Sequence, residues 1–316
     1  MGVRINSFGG PITWFFRKYF SYYTSGIILP IVAKKYERDT SDFINWFNYQ
    51  KQTPLFHHIK IETVNRCNGV CDFCPANKNM EKRSFKKMSE GMFYEIIRQL
   101  QEIKWKGTMI LCVNNEPFVD NRILDFAKYA KDNLADVYIF LISNGTLLDT
   151  KKMDAMVGLV DKIIINDYSP EYRLGKKCKE IYSYIRSQSE KFSCMEVIIN
   201  RRYSKEILTT KGGGAPNKSI KSKRVLQPCV YPFLDLVIFP DGKVGICAND
   251  NEELSEFGDI TKSSLTEIWE NEHFKEVRRK MAQGRMNVSF CKNCDVIDAG
   301  EREKYIKSLR LSGKKK

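Results

Sequence analysis

Three cysteines, Cys67, Cys71 and Cys74, stand close together in the run Val64-Asn65-Arg66-Cys67-Asn68-Gly69-Val70-Cys71-Asp72-Phe73-Cys74-Pro75. Their spacing is Cys-x3-Cys-x2-Cys. An iron–sulfur site with four cysteine ligands gives every iron a protein ligand. Three thiolates can hold a four-iron cluster and leave one iron open to a small molecule, so such a cluster can do chemistry as well as carry electrons. Zinc is the competing occupant. A zinc site usually shows two Cys-x2-Cys pairs, or cysteines with histidines in a fixed pattern. Here the nearest histidines, His57 and His58, lie upstream in what reads as a strand.

A second set, Cys229, Cys247, Cys291 and Cys294, lies toward the C-terminus. Cys229 precedes a strand read over Phe233 to Phe239. Pro240-Asp241-Gly242-Lys243 makes a hairpin turn, and Val244 to Cys247 begins the return strand. Cys291-Lys292-Asn293-Cys294 presents two thiolates from one tight turn. Together the four complete one tetrahedral site, for which zinc and a four-iron cluster are both chemically suitable. Cys112, Cys178 and Cys194 read as buried apolar residues.

The elements that must position these groups alternate. Strands are expected at Phe56–Val64, Thr108–Val113, Val137–Ser143, Lys162–Asn166 and Met195–Ile199. Helices are expected at Ser89–Ile103, Asn121–Asn133, Thr150–Val157 and Lys179–Gln188, and one continuous helix at Leu265–Met281. Alternation of this kind implies parallel βα units. Five or six strands predict an α/β fold, a partial (β/α)6-type barrel with a small C-terminal α+β domain. In βα barrels the active site gathers at the C-terminal strand ends, and the first cysteine loop follows the first strand. By the same rule Asp167, after the fourth strand, is a candidate base, with a helix-start role as its alternative. The expected division is 1–54 as an N-terminal extension, 55–200 as the core, 201–225 as a basic linker and 226–316 as the second cysteine domain with a basic tail. The run Thr209 to Lys218 is glycine-rich but fits neither the P-loop nor the dinucleotide pattern. It reads as a linker or active-site lid rather than a phosphate cradle.

The chain has 316 residues, 42% hydrophobic, with ten cysteines and a net charge of +14. It is long enough for a sizeable core. It lacks a cleavable signal pattern and any apolar run long enough to span a bilayer. A cytoplasmic enzyme is expected, since a reducing compartment favours metal-bound thiolates over disulfides. The charge is uneven: +4 in residues 1–54, +7 in 201–225 and +5 in 301–316, leaving −2 elsewhere. Solvated tails account for this, and so does an anionic partner. Peripheral membrane contact through Trp14-Phe15-Phe16-Arg17-Lys18-Tyr19-Phe20 is one form of the second reading.

The first cysteine run resembles the radical S-adenosylmethionine (SAM) enzymes, including the aromatic Phe73 before the third cysteine. The resemblance implies that the open iron binds SAM and that SAM is cleaved to a 5'-deoxyadenosyl radical. Asn114-Asn115-Glu116-Pro117 stands where that family usually has Gly-Gly-Glu-Pro, which binds the SAM amino group. Ser143-Asn144-Gly145-Thr146 is similar to the family's turn near the SAM ribose. Phe73, Asn114, Asn115, Glu116, Ser143 and Asn144 are therefore expected SAM contacts, Phe73 near the adenine. Cys229 to Cys294, with Gly242, Phe257-Gly258-Asp259-Ile260 and Trp269, resembles the SPASM auxiliary-cluster domain in its shortened, single-cluster form. The resemblance thus implies SAM and two [4Fe–4S] clusters, one of them auxiliary.

The reading is a radical SAM oxidoreductase that abstracts hydrogen from a sugar, cyclitol or other small metabolite and oxidises it by two electrons. A small-molecule or carrier-linked anionic substrate and a reducing donor such as flavodoxin or ferredoxin are the expected partners. A peptide maturase is one alternative, although residues 1–54 show no winged-helix pattern. A non-catalytic RNA-binding protein with two metal sites is another, although no RNA-binding motif is visible and nucleic acid is not expected.

Overall fold

The computed structural model describes residues 3–7, 37–169, 173–206, 209–218, 225–253 and 255–296. The aromatic-basic stretch near Trp14 and the basic C-terminal tail lie outside them.

Among the described residues nine strands form one sheet in the order β1-β6-β5-β4-β3-β2-β7-β8-β9. They are β1 Arg4–Ser7, β2 His58–Ile61, β3 Thr108–Ile110, β4 Tyr138–Ser143, β5 Lys162–Ser169, β6 Glu196–Tyr203, β7 Asp235–Ile238, β8 Lys243–Gly245 and β9 Gly258–Asp259. From β1 across to β7 every pairing is parallel. The last two pairings, through β8 and β9, are antiparallel. The sheet stays open, as a partial barrel does. The hairpin read at Pro240–Lys243 is present, with Gly242 at φ 87°. That left-handed angle, with Ile260 and Met92 close to any added Cβ, calls for glycine there.

Helix α1 is described over residues 37–48. The others are α2 Glu90–Glu102, α3 Ile123–Asn133, α4 Thr150–Met156, α5 Lys176–Ser187, α6 Tyr231–Leu234, α7 Leu265–Glu270 and α8 Glu272–Ala282. The helix expected over Leu265–Met281 is two helices. Asn271 ends α7 and caps α8, its side chain accepting the Phe274 N–H at 2.8 Å. An extended residue whose side chain replaces a lost backbone partner is how an N-cap works.

Side chains alternate across the strands. Ile59, Ile61, Ile163, Ile165, Val197 and Ile199 share one buried face with the apolar sides of the helices. The opposite face carries His58 and Lys60 on β2, Asn166 and Tyr168 on β5, and Asn200 and Arg202 on β6. Asn200 donates to Asn166 at 3.0 Å. His58 and Lys60 both reach Asp235, at 2.9 Å and 2.6 Å. Parallel strands are usually apolar on both faces, so a polar face marks this side as the working one.

The described residues before 55 join the same fold. Strand β1 extends the sheet beside β6. Helix α1 buries Phe43, Ile44 and Phe47, and Phe47 meets Phe233 edge-on at 5.2 Å.

Candidate active site

The first cysteine loop leaves β2 and is held by side chains on both flanks. Glu62, fully buried, accepts the Asn114 N–H at 2.9 Å and pairs with Arg83 at 3.0 Å. Arg83 also binds Glu81 and Glu253, and these carboxylates hold its guanidinium in the charged form, above its ordinary pKa. Asn77 Nδ2 donates to the carbonyls of Cys71 and Cys74, both at 3.0 Å. Its Oδ1 accepts from Asn79 and Met80. Asn77 thus fixes the turn that carries two of the three cysteines. The sequence reading missed it; asparagine's habit of bonding nearby backbone was the available signal.

The loop brings the three cysteines together. Burial, reinforced by the neighbouring sulfurs, pushes Cys67 up to about 11 and Cys71 to about 12. At neutral pH such thiols keep their protons until a metal displaces them. The Gly69 N–H donates to Cys67 Sγ at 3.3 Å. A Cβ on Gly69 would lie 3.3 Å from Cys67 Sγ and 3.9 Å from Cys71 Sγ. A side chain at Gly69 would therefore crowd the space beside these sulfurs.

Glu116 and the turn after β4 meet this loop. The Glu116 N–H donates to the Arg66 carbonyl at 3.1 Å. Its carboxylate, 2% exposed, accepts from Ser143 Oγ at 2.8 Å and the Asn144 N–H at 2.7 Å. Burial raises its pKa. Asn144 Nδ2 donates to Asn68 Oδ1 at 2.8 Å and lies 3.9 Å from Cys67 Sγ. Glu116 and Ser143 are thus occupied with each other. Asn114 Nδ2 and Asn115 Nδ2 are buried and have no hydrogen-bond partner among the described residues. Phe73 is buried against Tyr168, ring centroids 5.4 Å apart, at the end of β5.

Asp167 takes its alternative role. It lies on the face of Ile163 and Ile165, toward α5, and accepts the Gly175 N–H at 2.7 Å at the start of that helix. Strand β5 runs on to Ser169, three residues past the expected end, so Asp167 sits within the alternation and points away from the polar face.

The second set also assembles. Cys229, Cys247, Cys291 and Cys294 line one small cavity with Tyr231, Met281 and Arg285. Burial and the other sulfurs raise Cys247 to about 12 and Cys291 further. Among the described residues no three His, Cys, Asp or Glu side chains form a single-ion site; the four cysteines instead surround a cavity. The described part of the supposed linker, residues 209–218, is tied to this set. Thr210 donates through its N–H to Asp295 at 2.6 Å and through Oγ1 to the Asn293 carbonyl at 2.7 Å. Its glycine run walls a cavity of about 300 Å³ beside Cys247, Cys291 and Cys294. Of the unassigned cysteines, Cys112 and Cys178 are buried as expected. Cys194 is exposed, because it sits in the turn before β6 rather than on a packed face.

Two family models match the chain. Residues 61–184 match the radical SAM superfamily, and residues 229–295 match the SPASM iron–sulfur cluster-binding domain. The chain thus carries a radical SAM domain followed by a SPASM-type iron–sulfur domain. Its cofactors are SAM and two [4Fe–4S] clusters. The S-adenosyl-L-methionine-dependent 2-deoxy-scyllo-inosamine dehydrogenase of Niallia circulans is 22% identical over 253 residues, covering 79% of this chain and 97% of that enzyme. An uncharacterized protein of Methanocaldococcus jannaschii, MJ0907, is 30% identical over 130 residues, covering 38% of this chain and 43% of that one. The crystal structure of BtrN in complex with AdoMet and 2-DOIA superposes with a TM-score of 0.64 at 22% identity, covering 77% of this chain and 94% of that one. It shares the fold.

The chain fits these cofactors in three respects. Two sets of soft thiol donors face shared spaces, Gly69 leaves the first space clear, and two unpartnered amide nitrogens stand beside it.

Proposed function

We propose that this chain is a radical SAM oxidoreductase that removes two electrons from a cyclitol or sugar. The observation that carries the proposal is the pairing of two cysteine sets in one fold, the first in the loop after β2 and the second around Cys247 after β8. Three cysteines leave one iron open at the first set, and four cysteines close the second. The relative that aligns over 97% of its length is a dehydrogenase of 2-deoxy-scyllo-inosamine, which supports this substrate class.

In this reading Cys67, Cys71 and Cys74 hold the SAM-binding cluster, and Cys229, Cys247, Cys291 and Cys294 hold the auxiliary one. When bound, these cofactors supply a 5'-deoxyadenosyl radical that takes a substrate hydrogen and an acceptor for the remaining electron. The rest falls to the chain. Asn114 and Asn115, whose side-chain amide nitrogens have no partner among the described residues, stand in the segment that would receive the amino-acid end of SAM. Glu116 orients them indirectly, tying their loop to Ser143 and Asn144. Phe73, packed on Tyr168, closes one side of the adenine space. Lys60 and Asn166, on the polar face, orient substrate oxygens. The donor is a small low-potential protein such as flavodoxin or ferredoxin. The net basic charge suits an anionic or carrier-linked substrate. Among the described residues no helix is long and apolar enough to cross a membrane. The protein is assigned to the cytoplasm, since its thiols need a reducing compartment.

The test is anaerobic turnover of 2-deoxy-scyllo-inosamine and related cyclitols with SAM and dithionite. Formation of 5'-deoxyadenosine together with a product two hydrogens lighter supports the reading. SAM cleavage without any oxidised product from such substrates would refute the oxidoreductase assignment.

A further inference from the structure

Arg285 is fully buried, at 0% exposure. It lies at the start of a short 3-10 turn, six residues before Cys291, and nothing in the motif pattern singles it out. Its Nε donates to the Gln227 carbonyl at 2.9 Å. Its Nη1 lies 3.4 Å from the Cys294 carbonyl and 3.7 Å from Cys294 Sγ, within N–H···S range. Its own backbone N–H donates to the Leu226 carbonyl. Arg285 therefore joins the arm that leads into Cys229 to the Cys-x2-Cys knuckle, and it lines the cavity that all four cysteines share.

A buried cation beside a cluster ligand has two consequences. Reduction adds a negative charge to the cluster, and a fixed positive charge nearby favours that state, more strongly at low dielectric. An N–H donated to a ligand sulfur withdraws electron density from it, and hydrogen bonds to sulfur are among the levers that set cluster potentials. Both push the same way.

We propose that Arg285 is a positioning residue of the auxiliary cluster: it holds the knuckle against the Cys229 arm and raises the cluster's reduction potential, so that the cluster accepts the electron left on the substrate. The inference rests on the ligand assignment made above.

The test is a potentiometric titration of the reconstituted full-length protein, followed by electron paramagnetic resonance. The auxiliary signal is the one that added SAM does not change. Arg285→Gln should lower its midpoint by at least a tenfold change in the reduction equilibrium, about 59 mV for a one-electron couple. Arg285→Lys, which keeps the charge and loses the fork, should shift it less. An unchanged midpoint in Arg285→Gln with the iron retained would overturn the proposal. If both variants lose the auxiliary cluster, the wild-type protein decides. With guanidinium-15N arginine, a nitrogen hyperfine coupling to the reduced auxiliary cluster supports the contact, and its absence overturns it. A wild-type protein with only four irons would overturn the ligand assignment and this inference with it; iron content tells that case apart.

Discussion

Replacing Glu116 tests how the first site is built. Its carboxylate receives Ser143 Oγ at 2.8 Å and the Asn144 N–H at 2.7 Å, with a longer contact from the Phe118 N–H at 3.4 Å. Glu116→Ala leaves the first two donors buried without an acceptor, at about 1–3 kcal/mol each. Their loops can relax together, so the sum is not additive, and we expect a loss of about 3 kcal/mol. Glu116→Gln keeps one oxygen for Asn144 and turns its amide toward Ser143 Oγ, which can accept; about 1 kcal/mol is expected. The assay is urea unfolding followed by circular dichroism, read as a midpoint shift at constant slope. Cleavage of SAM should follow the same order, since Asn144 lies against Cys67. A loss below about 1 kcal/mol in the alanine variant would refute the reasoning, as would equal losses in both variants.

Three further outcomes follow from the geometry. Gly69→Leu should lower bound iron by about half, one cluster of two, because the side chain enters between Cys67 and Cys71; iron and sulfide analysis reads it, and full loading would contradict it. Arg278→Ala should cost about 3 kcal/mol in urea unfolding: Arg278 donates to the Pro232 and Trp269 carbonyls at 2.9 Å and 2.8 Å and lies 3.9 Å from the Trp269 ring centre. Burial, with His58 alongside, lowers His57 from 6.5 to about 4; it stays neutral in the folded chain while the unfolded chain takes up a proton, so stability should fall as pH drops from 6.5 toward 4. The fall should be shallower in His57→Gln, as thermal unfolding across that range would show.

Cysteine spacing and strand–helix alternation were legible because each is a short-range pattern. The hairpin at Gly242 and the buried faces of α7 and α8 were legible for the same reason. What escaped the sequence depends on partners far along the chain. Phe47 packs on Phe233 and Arg278, so residues before 55 looked featureless. Asp167 looked catalytic at a strand end, but β5 ran on and turned it toward α5. The bonds from Ser143 and Asn144 to the Glu116 carboxylate join two loops 27 and 28 residues apart, which no local pattern shows. Arg285 sits in no motif, and only the fold brings it to Cys294. The break at Asn271 was a readable cap hidden inside a continuous apolar period.

The central claim is that Cys67, Cys71 and Cys74 hold the cluster that cleaves SAM. Their combined replacement by alanine, followed by iron analysis and 5'-deoxyadenosine quantitation under reducing anaerobic conditions, tests it most directly. The wild-type protein should hold about eight irons and form 5'-deoxyadenosine; the variant should keep roughly four irons at the auxiliary site and form none. Cleavage of SAM by the triple variant would contradict the account.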